Sequence, residues 1–308
     1  MDLTGKRLVV TGGAGFVGSH LAESLLETND VLVVDDCSNG NREWVPDGAE
    51  FVHGDLTDPK VVADTITSNV DAVFHFAAAK AVNSDQPRQQ FEDNLQMTYN
   101  ILEQMDAVGV SHLAYTSSSV VYGEAPRPTP EDYAPKEPIS EYGAGKIAEE
   151  GLISTYAHSH DLQAWVFRFA NIVGPRLRGA VIPDFVEKLR ENPDKLVILG
   201  DGRQEKSYMH IEECVDAMAH VVDHANNDLN VYNLGTRTTT SVDTIADIVA
   251  DEMGLSPAYE HTGGDRGWTG DVPRMRLSVE KLSALGWEPA QSSDDAVRQS
   301  TQELLREL

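Results

Sequence analysis

Residues 6–18 read Lys-Arg-Leu-Val-Val-Thr-Gly-Gly-Ala-Gly-Phe-Val-Gly. The apolar run predicts a buried strand over Lys6–Thr11, and the residues after the glycines predict a helix over Phe16–Glu27. Glycines at 12, 15 and 18 permit a tight turn, let a pyrophosphate approach the backbone, and let the helix pack closely, while the first amides of that helix point at the phosphates. The alternative is a glycine-rich turn that binds nothing. We predict a dinucleotide site that includes Gly12, Gly15, Phe16, Val17 and Gly18.

A second predicted strand, Val31–Val34, ends in two carboxylates, Asp35 and Asp36. A carboxylate about twenty residues after such glycines accepts hydrogen bonds from the adenosine ribose and repels a 2′-phosphate, which favours NAD over NADP. For Asp36 the alternative is a solvated surface side chain. The loop that follows adds Asn39 and Gly40 to the predicted cofactor-binding residues.

Two further strands, Glu50–His53 and Asp71–Phe76, are each followed by candidate cofactor contacts. After the first, Asp55 either reaches the adenine amino group or caps the helix that begins near Pro59. After the second, small side chains at the carboxyl end of a parallel strand leave room for a cofactor. The predicted contacts from these two places are Asp55, Leu56, Phe76, Ala77, Ala78 and Lys80.

The strand predicted over His112–Ser117 delivers hydroxyls to the same edge, and Tyr142 and Lys146 follow on a helix that runs to about His158. Residues four apart lie on one helix face, so the ammonium can act on the phenol. A tyrosine titrates near pH 10, and a tyrosine that works as a base near neutral pH needs its pKa lowered by roughly three units. A neighbouring lysine and a cationic nicotinamide favour that shift. The alternative is an ordinary exposed Tyr–Lys pair.

Strands alternate with helices, including one over Phe91–Val108, as far as the buried strand Trp165–Phe169. This alternation predicts an α/β fold with a doubly wound parallel sheet, the Rossmann arrangement. Beyond Ala170 the elements become shorter and mixed. We expect a cofactor-binding domain over residues 1–170 and a smaller mixed α/β substrate domain over 171–308, with segments that return to the first.

The charge is strongly acidic, with 50 Asp and Glu against 24 Lys and Arg in 308 residues. Such a surface argues against nucleic-acid binding, which needs basic patches, and is typical of salt-adapted proteins. Two cysteines are too few for a disulfide framework, no apolar run spans a bilayer, and the first strand leaves no room for a signal peptide. We therefore expect a cytoplasmic protein without membrane contact. The histidines show no metal-ligand spacing, so no metal site is predicted.

Taken together, these motifs resemble the extended short-chain dehydrogenase/reductase family, and within it the UDP-glucose (UDP-galactose) 4-epimerases. The motifs that carry the resemblance are Gly12–Gly18, Asp35, Asp55-Leu56, Phe76–Lys80, Asn94, Ser117–Gly123, Tyr142–Lys146, Arg168–Pro175, Gly200–Gly202, Tyr232–Gly235 and Leu285–Pro289. The resemblance implies that Tyr142 is the catalytic base, Lys146 its partner and Ser118 the catalytic hydroxyl. It further implies that Asn94 supports the lysine through a water. It implies a nucleotide-sugar substrate contacted by Ser118, Ser119, Tyr142, Asn171, Lys206 and Arg266.

Departures from the family pattern leave the identity of the sugar substrate undetermined. Lys206 stands where epimerases usually have an arginine, which loses forked phosphate recognition. Ala170 replaces an aromatic residue of the best-known epimerases. The related 4,6-dehydratases carry Asp and Glu after the catalytic hydroxyl, whereas this chain has Ser119 and Val120, and valine moves no proton. We therefore expect an NAD-dependent UDP-sugar 4-epimerase working through a 4-keto intermediate. The resemblance also implies a homodimer formed by the helices Phe91–Val108 and Tyr142–His158. The alternatives are another sugar-modifying member (dehydratase, decarboxylase or reductase) and a non-catalytic NAD-sensing module.

Overall fold

The computed structural model describes residues 1–79, 86–268 and 270–307. Its strands are β1 Arg7–Thr11, β2 Asp30–Asp35, β3 Glu50–His53, β4 Ala72–His75, β5 His112–Ser118, β6 Gln163–Phe169, β7 Asn171–Val173, β8 Lys195–Ile198, β9 Glu205–Lys206, β10 Tyr208–His210, β11 Leu229–Leu234, β12 Thr240–Ser241, β13 Ala258–His261 and β14 Arg274–Met275. Its α-helices are α1 Phe16–Leu26, α2 Pro59–Thr65, α3 Pro87–Val108, α4 Glu141–Ser159, α5 Val181–Glu191, α6 Ile211–His224, α7 Val242–Glu252, α8 Glu280–Ala284 and α9 Ser293–Glu307. Single 3₁₀ turns lie at Arg42–Trp44 and Ser119–Tyr122.

A seven-stranded sheet carries the glycine turn, in the order β11-β6-β5-β4-β1-β2-β3. The pairs that join β5, β4, β1, β2 and β3 are parallel. The chain moves outward from β1 to β2 on one side and to β4 on the other, so the strand order reverses beside β1. Ligands of such sheets bind at the carboxyl ends of the strands next to this reversal. The predicted doubly wound α/β fold is confirmed.

The core explains why these strands read as continuous apolar runs. β1 is fully buried from Leu8 to Thr11, because a parallel sheet is covered by helices on both faces. One buried cluster joins Val9 and Val34 of the sheet to Ile101 and Leu102 of α3. This packing fixes the strand ends from which the predicted site residues project.

Most predicted element bounds lie within two residues of the structure. The exception is α3, which begins at Pro87, four residues before the predicted start at Phe91. Pro87 occupies the first turn, where its missing N–H has no intrahelical partner to lose. The residues between them are polar, so hydrophobic periodicity carries no signal there.

The chain divides into two compact units. The first consists of Met1–Val121, Glu141–Arg168 and Ala217–Tyr232, and the second of Tyr122–Ser140, Phe169–Asp216 and Asn233–Leu308. The second unit contains short sheets of mixed direction, in which β9 pairs antiparallel with β12 and parallel with β14. The binding functions that we assign to the two parts of the chain stay predictions. Among the described residues, no helix has the length and apolar content needed to cross a membrane.

Candidate active site

The glycine turn after β1 leaves no room for side chains. Gly12 has a φ of +68°, and a Cβ there would lie 2.5 Å from the backbone nitrogen of Ala77. A Cβ on Gly18 would overlap the carbonyl oxygen of Gly12. Gly15 is the N-cap of α1 without a side-chain cap, and the first turn, with Phe16 and Val17, holds no acidic residue. The positive N-terminal end of α1 is therefore available to an external anion, such as the pyrophosphate of NAD.

Asp35 ends β2 as a buried carboxylate held by two backbone amides. Its Oδ2 accepts from the Ala14 amide at 2.9 Å and its Oδ1 from the Cys37 amide at 2.8 Å. Burial raises the pKa of Asp35, while the two amides oppose that rise. A carboxylate has about four acceptor positions, so two amides leave capacity for ribose hydroxyls. Asp36 is exposed, and its Oδ1 accepts from the backbone and hydroxyl of Ser38.

The loop after β2 returns to the glycine turn. A Cβ on Gly40 would lie 2.8 Å from the carbonyl carbon of Ala14, and the Asn41 amide donates to the Ala14 carbonyl at 2.8 Å. Glycine at position 40 is therefore required by close backbone approach. The predicted cofactor residue Asn39 is exposed on this loop.

Asp55 does not cap α2. Its Oδ1 accepts from the Thr57 amide at 2.8 Å, which closes a local turn. The N-cap of α2 is Asp58, whose side chain accepts from the Lys60 amide. The capping alternative for Asp55 is thus wrong, because Asp58, directly before Pro59, holds the N-cap position. Asp55 is exposed and Leu56 is buried in the core. The predicted adenine contact stays a prediction.

The end of β4 lies against the glycine turn. Thr11 Oγ1 accepts from the amides of Phe76 and Ala77 at 3.1 and 3.2 Å. Phe76, Ala77 and Ala78 are half-buried, in keeping with a strand end that a cofactor can cross. Lys80, also predicted to contact the cofactor, lies outside the described residues.

Asn94 is buried inside α3, where a mid-helix amide would ordinarily face solvent. Its Oδ1 accepts from the Ala79 amide at 2.7 Å and its Nδ2 donates to the Ala79 carbonyl at 3.1 Å. The side chain thus replaces both backbone partners of Ala79 and holds the loop after β4. The water-mediated link to the lysine stays a prediction.

Tyr142 and Lys146 lie together at the start of α4. The Lys146 Nζ is 5.8 Å from the centre of the Tyr142 ring and donates to the Tyr115 hydroxyl at 2.9 Å. Lys146 is 1% exposed, so its field acts on the phenol with little screening by solvent. Ser118 ends β5 and is half-buried, and Ser119 opens the following 3₁₀ turn.

Residues that sequence analysis missed surround the lysine. Glu149 is buried one turn after Lys146, with its Oε2 at 3.6 Å from the Nζ. Thr98 donates to the same Oε2 at 2.9 Å and lies 3.1 Å from His75 Nε2. Burial, together with the charge of Lys146, lowers the pKa of His75 to about 3, so this histidine is neutral. The i, i+3 spacing of Lys146 and Glu149 is the one signal that the sequence offers.

The serine-bearing strand is fixed by a second buried carboxylate. Glu150 Oε1 accepts from the Ser117 hydroxyl at 2.6 Å and from Arg168 Nε at 2.8 Å. Its Oε2 accepts from Arg168 Nη2 at 2.7 Å, which makes the ion pair bidentate. The network ties β5, α4 and β6 together directly beside Ser118.

In the second unit, the predicted phosphate ligands have protein partners. Lys206 Nζ is 2.5 Å from Asp271 Oδ1 and 5.1 Å from the centre of the Trp268 ring. Arg266 donates to the Asp271 carbonyl at 2.6 Å and pairs with Glu124, whose carboxylate raises the pKa of the arginine.

Asn171 starts β7, where both its amide and its side chain donate to one carbonyl, that of Ser207. No group of three or more His, Cys, Asp or Glu residues suited to a metal occurs in residues 1–79, 86–268 and 270–307.

Comparison with known proteins decides the family. The model of the NAD dependent epimerase/dehydratase family matches residues 8–235. The chain belongs to this family. The predicted resemblance is thereby confirmed, and so is NAD as the cofactor.

Relatives and solved structures cover nearly all of the chain. The UDP-glucose 4-epimerase of Corynebacterium glutamicum is 32% identical over 306 residues, which is 92% of this chain and 91% of that protein. A crystal structure of UDP-galactose 4-epimerase superposes with a TM-score of 0.90 at 41% identity, covering 98% of this chain and 99% of that one. The UDP-glucose 4-epimerase of Thermus thermophilus, in complex with NAD, gives a TM-score of 0.85 at 31% identity and covers 96% of this chain and 98% of its own.

Proposed function

We propose that this member of the family is an NAD-dependent nucleotide-sugar 4-epimerase of the UDP-glucose/UDP-galactose type. The epimerases to which it is similar support the reaction class. The observation that carries the proposal is the Tyr142–Lys146 pair on the unit that also bears the glycine turn and Asp35.

The residues of the chain divide the work. When bound, NAD would supply the hydride acceptor for carbon 4 of the sugar and the hydride donor for the other face of the 4-keto sugar. Tyr142 removes the proton of the 4-hydroxyl and later gives it back. Lys146 stabilises the phenolate by its charge, and Ser118 hydrogen-bonds the reacting oxygen. The residues proposed to hold NAD are Gly12, Gly15, Phe16, Val17, Gly18, Asp35, Asp36, Asn39, Gly40, Asp55, Leu56, Phe76, Ala77, Ala78, Lys80, Tyr142 and Lys146.

We propose that Asn171, Lys206 and Arg266 bind the nucleotide diphosphate and that Ser118 and Ser119 contact the sugar. Both cations have a carboxylate beside them in this structure, so a diphosphate must compete with Asp271 and Glu124. Forked recognition is not open to Lys206, which acts as a point charge.

The second candidate is another sugar-modifying reaction of the same family. A 4,6-dehydratase needs an acid and a base to eliminate water, and Ser119 and Val120 provide neither of the carboxylates used by dehydratases. A non-catalytic NAD sensor is disfavoured because Ser118, Tyr142 and Lys146 are all present.

The test is a product assay. The protein is incubated with UDP-, dTDP- and GDP-hexoses, and the products are read by NMR. We expect a UDP-hexose to equilibrate with its 4-epimer without added NADH. Tyr142→Phe should lose this activity, whereas Tyr259→Phe, which removes a hydroxyl bonded to Asp247 in the second unit, should retain it. A 4-keto-6-deoxy product with no epimer would instead establish a dehydratase.

We further propose a homodimer formed by α3 and α4. Tyr99 of α3 is 43% exposed, and the nearby Tyr156 of α4 is half-buried, so these helices present aromatic surface. Light scattering that shows a monomer at working concentrations would contradict this.

A cytoplasmic location and a salt-adapted surface are also proposed. The first is supported by free Cys37 and Cys214, and the second by the net charge of −26. Activity that rises with molar KCl would support the surface assignment.

A further inference from the structure

Glu149 is an acidic side chain buried beside the catalytic lysine. Glu149 and Lys146 are each 1% exposed, and Oε2 lies 3.6 Å from Nζ. A carboxylate without solvent is costly unless it is paired and hydrogen-bonded. The position therefore demands an explanation beyond packing, because alanine or leucine would fill a helix interior at no such cost.

A chain of buried hydrogen bonds ends at this carboxylate. Thr98 donates its hydroxyl to Glu149 Oε2, so its oxygen accepts from His75 Nε2–H. His75 Nδ1 then accepts from the Thr11 hydroxyl, at 2.9 Å. Thr11 in turn accepts from the Phe76 and Ala77 amides at the predicted cofactor edge. Every donor points toward Glu149, which is the polarity that an anionic carboxylate imposes.

Glu149 and Lys146 differ in how fully their polar atoms are hydrogen-bonded. Glu149 Oε1 is buried and has no hydrogen-bond partner among the described residues. Lys146 donates to the Tyr115 hydroxyl, and its Nζ lies 4.7 Å from the centre of that ring. Burial, the charge of Glu149 and a hydrogen bond to Glu149 raise the pKa of Tyr115, so Tyr115 stays neutral and links the lysine to the carboxylate. The negative charge of Glu149 is thus offset mainly by one cation, Lys146.

We propose that Glu149 is a positioning residue that fixes the Lys146 ammonium and, through its opposing charge, sets the pH range in which Tyr142 works. This inference rests on the proposed epimerase function. The groups next to Glu149 are Lys146 on its own helix, Tyr115 from β5 and the Thr98 hydroxyl from α3, with His75 from β4 bonded to Thr98; Tyr142 and Glu150, on the same helix, act on Tyr115 as Glu149 does. Glu149 therefore lies close enough for its charge to act on Lys146 directly and, through the net field at the ammonium, on the Tyr142 ring. In general, removing a nearby negative charge favours a phenolate and disfavours an ammonium.

The test removes the charge while keeping the shape. Glu149→Gln retains an acceptor for Thr98, Glu149→Asp retains the charge, and Glu141→Gln removes an exposed carboxylate next to Tyr142. Two quantities are measured in each variant: the pH profile of kcat for a UDP-hexose, and the phenolate absorbance of Tyr142 against pH. The second is the difference between each protein and the same protein carrying Tyr142→Phe, with and without NAD, and needs no turnover.

We expect Glu149→Gln to move both limbs of the kcat profile and the phenolate midpoint to lower pH, by about one unit. Glu149→Asp and Glu141→Gln should stay near the parent. Unchanged limbs and midpoint in Glu149→Gln, or an equal shift in Glu141→Gln, would overturn the assignment.

If Glu149→Gln does not fold, Thr98→Val tests the same chain. It removes a hydrogen bond that offsets the charge of Glu149 and should give a smaller shift in the opposite direction, and no shift would refute the proposal. A parent protein without epimerase activity would defeat the proposed function alone, because the phenolate titration still reports on Glu149.

Discussion

Gly12→Ala tests whether the glycine turn is shaped by backbone contact. Gly12 has a φ of +68°, and a Cβ would lie 2.5 Å from the nitrogen and 2.7 Å from the Cα of Ala77. These are backbone atoms, which cannot move aside as a flexible side chain can, so the turn must shift. Gly5→Ala is a matched control, since Gly5 has a φ of +66° and nothing within 4 Å of the added Cβ.

Both variants place alanine in the left-handed region, which costs about 1–2 kcal/mol in the free energy of unfolding. Both also lose the same backbone entropy in the unfolded chain. Gly12→Ala alone adds overpacking, about 1–3 kcal/mol. We therefore expect it to be less stable than Gly5→Ala by about 1–3 kcal/mol in urea unfolding.

The same displacement should weaken NAD binding measured by calorimetry, whereas Gly5→Ala should bind as the parent does. Equal unfolding free energies and equal NAD affinities in the two variants would refute the reasoning, because the close approach to Ala77 would then have no energetic consequence.

Three further predictions concern buried polar groups. The pKa of His75 is lowered from 6.5 to about 3, so the unfolded chain binds a proton first, and stability should fall as the pH drops below 6.5, by about 2 kcal/mol at pH 5 relative to pH 7. His75→Gln, followed by urea unfolding at both pH values, should lose that part of the pH dependence, and an unchanged dependence would contradict the assignment. Asn94→Ala should lower the free energy of unfolding in urea by about 2–4 kcal/mol, because the amide and carbonyl of Ala79 lose their partner. The control Gln96→Ala changes an exposed side chain of the same helix and should lower it by less than about 0.5 kcal/mol. Similar losses in the two variants would show that the Ala79 contacts do not matter. Lys206→Ala leaves Asp271 buried without its cation and should lower the free energy of unfolding by about 3–5 kcal/mol. Lys195→Ala, which breaks an exposed pair with Glu260, should lower it by less than about 1 kcal/mol. Equal losses in thermal or urea unfolding would contradict this prediction.

The sheet was predictable because its information is local. The run Leu8–Val10 is fully buried, so it reads as a strand without reference to partners, and the glycines after it mark a turn. Asp35 was found by its distance along the chain from that turn. By contrast, the start of α3 was missed because the polar residues after Pro87 face solvent and give no period. Hydrophobic patterns therefore predict buried strands and helices, but they miss the ends of helices whose side chains face solvent.

The hydrogen-bond partners of buried polar side chains could not be predicted from local sequence patterns. Polar and acidic side chains of a helix are ordinarily exposed, yet Asn94 and Glu149 are each buried and bonded to atoms distant in sequence. Nothing in the sequence around Asn94 indicates that Ala79 will lack backbone partners. The roles of such residues depend on tertiary contacts, which one sequence does not encode in its spacing.

The acidic composition determines how cations behave at the proposed substrate ligands. Carboxylates outnumber basic side chains about two to one, so a cationic side chain in a loop commonly has a carboxylate nearby with which it can form an ion pair. Arg266 pairs with Glu124 across half-exposed surface, whereas Lys206 pairs with an Asp271 whose side chain is 2% exposed. Salt screens the first pair far more than the second. High salt therefore weakens the Arg266–Glu124 pair and leaves the Lys206–Asp271 pair largely intact, so the two cations differ in how firmly their carboxylates hold them.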